Sequence, residues 1–209
     1  GPSGWGGAMI IVPYNFYRHY GDMQALRDVF PNMQKFVEYI ETRCENGLIV
    51  REEPDGWCLG DWCTAEKVSI PEPFVNTYFL IKCLDYMVEI SYILDDFDAP
   101  WAKKSAEYRK SLRRHYYDAE KNTYCGGIQG ADAFALDIGI GDVPMAEALA
   151  EKYDALGAFD TGIFGTDIVT RVLFEGGDAQ LAADLMMSTD PISFDGMRRA
   201  GATTIWERW

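Results

Sequence analysis

The chain has 209 residues and a formal net charge of −14, with 33 acidic against 19 basic residues. So acidic a surface repels phosphate backbones, and no run of Lys and Arg with interleaved aromatics occurs, so the sequence predicts no nucleic-acid partner. Its 48% hydrophobic and 25% charged residues are typical of a globular domain with a substantial core, and the absence of a membrane-length apolar run predicts no membrane partner.

The cysteines and histidines give no metal or disulfide signature. Five cysteines are an odd number and none has CxxC spacing, which disfavours a disulfide framework; Cys58 and Cys63 could pair or simply pack. His19 and His115 have no ligand-spaced neighbour. The acidic stretch 95–98 is better explained by a helix cap with solvated charges than by a magnesium site. The sequence therefore predicts no metal and no cofactor.

The first helical hairpin is predicted from a change in apolar pattern. Residues 5–20 are almost continuously apolar, which predicts a buried helix that is kinked at Pro13 or begins after it. Residues 23–43 carry one apolar stripe with polar residues opposite, which predicts an outer helix, and Asp22 is its expected N-cap.

A long loop, residues 44–64, follows this hairpin. It is rich in Gly, Asp and Trp, with a short strand expected at 48–50, and loops of this length are more often functional than idle.

The alternation of a buried helix with an amphipathic outer helix then repeats. Residues 71–94 are apolar on two faces, and residues 101–116 form an amphipathic partner helix.

Two more hairpins are predicted in the second half. The Ala-rich segment 131–140 pairs with the amphipathic segment 143–156, and the apolar segment 167–174 pairs with the amphipathic segment 178–187. Residues 161–166 are expected to form a Gly-rich link. This link does not follow a strand and lacks the Lys of a phosphate loop, which disfavours nucleotide binding.

Eight helices in four hairpins, with few strand signals, predict an all-α fold. Alternating buried and outer helices are what an α/α toroid requires, and the alternative is an irregular helical bundle. In a toroid the loops that leave the inner helices collect at one mouth. Trp5, the loop 55–62 and Glu207 could converge there.

The last nine residues carry the clearest chemistry. Glu207 lies between Trp206 and Trp209 and beside Arg208. Indole faces pack on the C–H faces of sugars, and a carboxylate among them can take a proton from water. The structural alternative is a salt-bridged Glu under two core tryptophans, but residues 55–62 combine Asp and Trp in the same way.

Four stretches resemble one family. Residues 201–209 (Gly-Ala-Thr-Thr-Ile-Trp-Glu-Arg-Trp) resemble the signature near the end of the catalytic domain of bacterial α-L-rhamnosidases, and residues 161–166 (Thr-Gly-Ile-Phe-Gly-Thr) are similar to the Thr-Gly segment that precedes it. Residues 60–62 look like the family's Gly-Asp-Trp loop, and residues 5–8 resemble a Trp-Gly-Asp-Ala stretch. Order and approximate spacing match over essentially the whole chain.

The resemblance implies an (α/α)6 toroid that hydrolyses rhamnosides with inversion. Glu207 matches the general base, and Trp5 and Trp62 match indoles that line the rhamnose site. The expected partner is a rhamnose-containing glycoside or polysaccharide. Further residues predicted to bind substrate are Asp61, Trp57 and Trp206.

Three departures from the family limit this prediction. The acidic stretch that supplies the general acid would precede Trp5, the His often found before the Thr-Gly segment is replaced by residues 159–160 (Phe-Asp), and the family continues past Trp209. We therefore expect a single domain over residues 1–209 that is a partial toroid of about four of six hairpins, with little activity alone. Self-association through uncovered inner faces is a further hypothesis.

Other functions stay open from the sequence. Asp55 or Asp61 could serve as the acid opposite Glu207, since burial in a Trp-rich loop can raise the pKa of a carboxyl group. A non-catalytic carbohydrate-binding helical scaffold would use the same tryptophans for stacking alone. A purely structural helical domain would bind no sugar.

Overall fold

The computed structural model describes residues 3–51, 59–97 and 99–209. The chain divides into two compact units, residues 1–59 with 72–115 and residues 60–71 with 116–209. Helices dominate both units, which confirms the predicted all-α class.

The first unit is built around one long buried helix. Its elements are α1 (Ser3–Gly6), α2 (Ala8–Tyr20), α3 (Met23–Glu41), β1 (Cys44–Glu45), β2 (Leu48–Ile49), α4 (Glu72–Ile93) and α5 (Trp101–Tyr116). Helix α4 contacts α1, α2, α3 and β2, and residues on both of its faces are buried. The two apolar faces predicted for this segment are therefore confirmed.

Helix α3 follows its predicted pattern, whereas α2 does not. The Asp22 carboxylate caps α3 by accepting from the backbone N–H groups of Gln24 and Ala25, at 3.0 and 3.2 Å. Helix α2 is separated from α1 at Gly7 rather than at Pro13, which lies inside the helix.

The expectation that α2 is buried is wrong in this structure. Ile10 and Tyr14 are its buried residues, because α2 packs on α3 and α4. Apolar composition alone did not show which side of the helix would be covered. The large apolar residues of α2 that remain exposed are Met9, Val12, Phe16 and Tyr20.

A tight hairpin connects α3 to the long loop. Strands β1 and β2 are antiparallel, and Asn46 and Gly47 at the turn have φ of 54° and 79°, as a type I′ turn requires. A Cβ on Gly47 would lie 2.4 Å from the Ser111 Oγ, so α5 packs directly on this turn. The Ile49 N–H donates to the Thr77 Oγ1 at 2.9 Å, which ties the hairpin to α4.

The second unit is built around α8. Its elements are β3 (Tyr117–Asp118), β4 (Thr123–Tyr124), a 3-10 turn (Cys125–Gly127), α6 (Ala131–Asp137), α7 (Val143–Leu156), α8 (Ile163–Gly176), α9 (Ala179–Met186) and α10 (Phe194–Arg199). Helix α8 packs on α6, α7 and α9. The bounds of α7 are those predicted. The segment 167–174, expected to be buried, is only partly so: Ile168, Val169 and Leu173 are buried, whereas Asp167 and Phe174 at its ends are exposed.

Two features of the second unit differ from the prediction. Helix α8 begins at Ile163, so most of the expected Gly-rich link 161–166 is helical. Helix α10 was not predicted, because its six residues include Gly196 and are too few to show a period. Its start is fixed by Ser193, whose Oγ accepts from the Gly196 N–H at 2.9 Å.

Candidate active site

Asp61, in the loop that precedes α4, packs against the first turn of α8 and is fully buried. One carboxylate oxygen accepts from the Gly162 N–H at 2.7 Å and the other from the Gly165 N–H at 2.8 Å. The neighbouring Trp62 carbonyl accepts from the Ile163 N–H at 2.8 Å. The first N–H groups of a helix have no partner within it, and here two consecutive residues of another segment accept from them.

This contact explains the glycines of residues 161–166. A Cβ on Gly162 would lie 2.1 Å from the Trp62 carbonyl oxygen, and one on Gly165 would lie 2.4 Å from the Asp61 Oδ2. Any side chain at either position would push the loop away from the helix. The Gly-Asp-Trp loop and the Thr-Gly segment, predicted as separate motifs, are thus one structural feature.

Two opposing effects act on the pKa of Asp61. Burial raises the pKa of Asp61 from its ordinary 3.8 to about 6, although backbone N–H groups of Gly165, Gly162 and Phe164 act to lower it. The negative charge of Asp160 raises it further. Asp61 therefore titrates closer to neutral pH than an ordinary aspartate.

The geometry gives Asp61 a different role from the one expected. The sequence predicted a substrate-binding residue or a general acid, both of which must reach the sugar. With no exposed surface and both oxygens engaged by α8, Asp61 cannot do so in this structure. It caps a helix instead.

Trp62 and Glu207 are in direct contact, although 145 positions separate them in the sequence. The Trp62 Nε1–H donates to the Glu207 Oε1 at 3.1 Å, and the Arg208 guanidinium lies 5.8 Å from the centre of the Trp62 ring. Glu207 itself is exposed. The loop thus holds one oxygen of an otherwise accessible carboxylate.

Trp209, two residues after Glu207, is also anchored beside the start of α8. Its Nε1–H donates to the Thr161 carbonyl oxygen at 2.8 Å, and its ring stacks on Phe159 at 6.2 Å with an interplanar angle of 13°. Phe194 contacts the same ring at 5.1 Å. The indoles of Trp62 and Trp209 therefore both belong to residues held near the start of α8.

A cavity of about 300 Å³ adjoins this carboxylate. Trp206, 45% exposed, is one of its walls, and the Trp206 N–H lies 3.4 Å from the Met197 Sδ of α10. Cys63 lies on the wall too, where burial and then the charge of Glu207 raise the pKa of its thiol. The remaining lining residues are mostly apolar: Gly162, Ile163, Thr166, Asp167, Thr170, Met186, Phe194, Met197, Ile205, Glu207 and Trp209.

A carboxylate that contacts an anchored indole at the edge of a cavity is compatible with a carbohydrate site. The comparison with known proteins decides the family. The model of the bacterial alpha-L-rhamnosidase six-hairpin glycosidase domain matches residues 1–209. The chain belongs to this family.

Curated relatives of this rhamnosidase-family chain agree with the assignment. It is 28% identical over 214 residues to an alpha-L-rhamnosidase of Streptomyces avermitilis, and 24% identical over 225 residues to one of Alteromonas sp.. These matches cover 100% and 99% of this chain but 20% and 24% of the relatives. The chain therefore spans a fifth to a quarter of their length.

Solved structures show the same fold. The Streptomyces avermitilis alpha-L-rhamnosidase complexed with L-rhamnose matches 97% of this chain and 19% of its own, with a TM-score of 0.83 and 26% identity. The alpha-L-rhamnosidase from Dictyoglumus thermophilum matches 100% of this chain and 25% of its own, with a TM-score of 0.86 and 21% identity. These neighbours and the six-hairpin family are consistent with the predicted α/α toroid.

The remaining predicted site residues of this rhamnosidase-family chain are Trp5, Trp57 and the alternative acid Asp55. Trp5 belongs to α1 of the first unit and is 44% exposed, and its place beside Glu207 stays a prediction. Trp57 and the alternative acid Asp55 lie outside the described residues.

The described residues also bear on metals and membranes. In residues 3–51, 59–97 and 99–209, no group of three or more His, Cys, Asp or Glu side chains is arranged to hold a metal ion. Within the same ranges, every helix is too short or too polar to cross a bilayer.

Proposed function

We propose that this chain is part of a glycoside hydrolase that removes terminal α-L-rhamnosyl residues with inversion, and that Glu207 is its general base. The observation that carries the proposal is the contact between Glu207 and Trp62 at the edge of a half-open cavity. It brings together two residues that the family resemblance marks as base and sugar-site indole.

The geometry of Glu207 suits proton abstraction from water. The indole N–H of Trp62 binds Oε1, so we assign Oε2 to the attacking water. A hydrogen bond from a neutral donor orients the carboxylate without neutralising it. As the water attacks the anomeric carbon, Glu207 takes one of its protons, and the C–O bond to the leaving group breaks on the opposite face.

The general acid must come from another residue. In inverting enzymes the two carboxyl groups stand roughly 6.5–9.5 Å apart, so that water fits beside the sugar. Asp61 cannot serve as the acid because it is fully buried. Asp55 stays an alternative, which Asp55→Asn would test in the complete enzyme. If the acid lies outside residues 1–209, the segment alone lacks a contribution of about 10²–10⁴ in rate and shows little turnover.

The sugar site is tested by titrating the chain with L-rhamnose and following tryptophan fluorescence. We expect a saturable change that Trp62→Phe abolishes, because Phe keeps a ring but cannot hold Glu207. Trp101→Phe is the matched control: Trp101 is buried in the first unit, where its Nε1–H donates to the Ser91 Oγ. This control should lose emission and keep the response.

Selectivity separates the proposal from non-specific stacking. L-Fucose, which differs in the orientation of its hydroxyl groups, should bind far more weakly than L-rhamnose. Equal responses to both sugars would favour the carbohydrate-binding scaffold over a rhamnosidase site. A response that survives Trp62→Phe would contradict the assignment of this indole.

A further inference from the structure

The first turn of α8 has an unusual cap. Helix N-caps ordinarily use one residue just before the helix. Here the cap comes from Asp61, about 100 positions earlier in the chain, and Gly162, which occupies the N-cap position, has no side chain to offer. The helix therefore depends on the loop, and the loop depends on the helix.

The same contact fixes Trp62. The Trp62 carbonyl accepts from Ile163 while the adjacent Asp61 carboxylate accepts from Gly162 and Gly165. The Trp62 indole therefore projects from a residue whose own carbonyl and whose preceding side chain are both bound to the first turn of α8. That indole is the group that donates to Glu207.

We propose that Asp61 is a positioning residue for the catalytic base: by capping α8 it sets the Trp62 indole that orients the Glu207 carboxylate. Asp61 touches neither water nor sugar and acts through Trp62. This inference rests on the proposed role of Glu207, yet the contact that it predicts can be measured without turnover.

The test follows the indole N–H resonances of the 209-residue chain by ¹H–¹⁵N NMR. Trp62→Phe identifies the Trp62 resonance, and Glu207→Gln shows how far it moves when the acceptor loses its charge. In Asp61→Asn, one backbone N–H of α8 faces an amide NH₂ instead of an oxygen. We expect the Trp62 resonance to move towards its position in Glu207→Gln, with indole hydrogen exchange at least about tenfold faster.

A structural control separates positioning from general loss of stability. Asp132 in the same unit accepts from the Tyr124 N–H and the Thr123 Oγ1, both at 2.6 Å. Asp132→Asn also removes a half-buried carboxylate acceptor but should leave the Trp62 resonance in place. If Asp61→Asn does not fold, Asp61→Ser retains one acceptor, as many helix caps do, and should give a smaller shift in the same direction.

Each outcome is decisive. A Trp62 resonance unchanged in a folded Asp61 variant would reduce Asp61 to a structural cap and overturn the inference. In the complete enzyme, Asp61→Asn should lower kcat/KM, because the Trp62 indole that moves both orients the base and lines the proposed rhamnose site. An enzyme without rhamnosidase activity would defeat the proposed function and leave the NMR result intact.

Discussion

Asp85 and Asp61 show two ways in which these units hold an aspartate. In the first unit, Asp85 is partly exposed and accepts from the Arg109 Nη2 and the Ser105 Oγ, each at 2.6 Å. These are side-chain contacts that join α4 to α5. In the second unit, Asp61 is fully buried and accepts from the backbone of α8.

The difference teaches where precision is needed. Side chains such as Arg109 can adjust by rotamer changes, so the contact tolerates movement between helices. Backbone N–H groups of a helix are fixed, and glycines bring them within 3 Å of Asp61. The rigid arrangement adjoins Trp62, which contacts Glu207, and a small displacement of the proposed base would lower the rate.

The largest expected loss of stability comes from placing a methyl group between the loop at Asp61 and Trp62 and the start of α8. Gly162→Ala places a methyl group about where the Trp62 and Asp61 carbonyl oxygens lie, at 2.1 and 2.5 Å from the ideal Cβ. Since the φ of −92° suits alanine, the cost is steric. We expect urea unfolding to show a loss of about 3 kcal/mol or more, at the upper end of overpacking effects.

Gly176→Ala and Gly47→Ala are its controls. Gly176 is in the same helix with nothing within 4 Å of its ideal Cβ, so alanine should be neutral or slightly stabilising. Gly47→Ala should destabilise the first unit, because of its φ of +79° and the nearby Ser111, without moving the Trp62 indole resonance. Equal costs for Gly162→Ala and Gly176→Ala would show that the loop does not need close approach.

The second effect is a pH dependence that belongs to Asp61. Between pH 4 and 6 the folded chain binds more protons at this site than the unfolded chain, because its folded pKa of about 6 exceeds 3.8. Stability from this group is therefore full below pH 4 and is lost as pH rises through 6. The difference between these two pKa values corresponds to roughly 3 kcal/mol in the free energy of unfolding.

Comparison with the Asp61→Asn variant isolates the pH dependence that Asp61 contributes. The difference in unfolding free energy between wild type and Asp61→Asn should shrink from pH 4 to pH 7, since asparagine does not titrate. The groups that act on Asp61 most directly, Asp160 and the α8 backbone, are present in both proteins. A difference that grows with pH would mean that the backbone N–H groups outweigh burial and hold the pKa of Asp61 low.

Most helices could be predicted because their signals are local. The apolar stripe of α3, its Asp22 cap and the full extent of α7 follow from neighbouring residues. The burial of α2 could not be predicted, because an all-apolar segment does not show which face its neighbours cover. Helix α10 was too short to carry a period.

The candidate site residues come from the family resemblance, and their contacts could not be predicted from the sequence. Glu207 and Trp62 followed from the family resemblance, but the role of Asp61 depends on a segment about 100 positions away. The available signal for this contact was the spacing of Gly162 and Gly165 at the start of an apolar segment, because the first backbone N–H groups of a helix have no acceptor within it. Which carboxylate accepts these hydrogen bonds depends on the tertiary structure.

The most direct test of the central claim is Glu207→Gln in the complete enzyme, assayed on an aryl α-L-rhamnoside with and without azide. A general base should lose about 10²–10⁴ in kcat on this change, with KM nearly constant. Azide needs no deprotonation, so it should restore turnover and yield the β-L-rhamnosyl azide by inversion. Wild-type kcat in Glu207→Gln, or a loss that azide does not relieve, would contradict the assignment of Glu207 as the base.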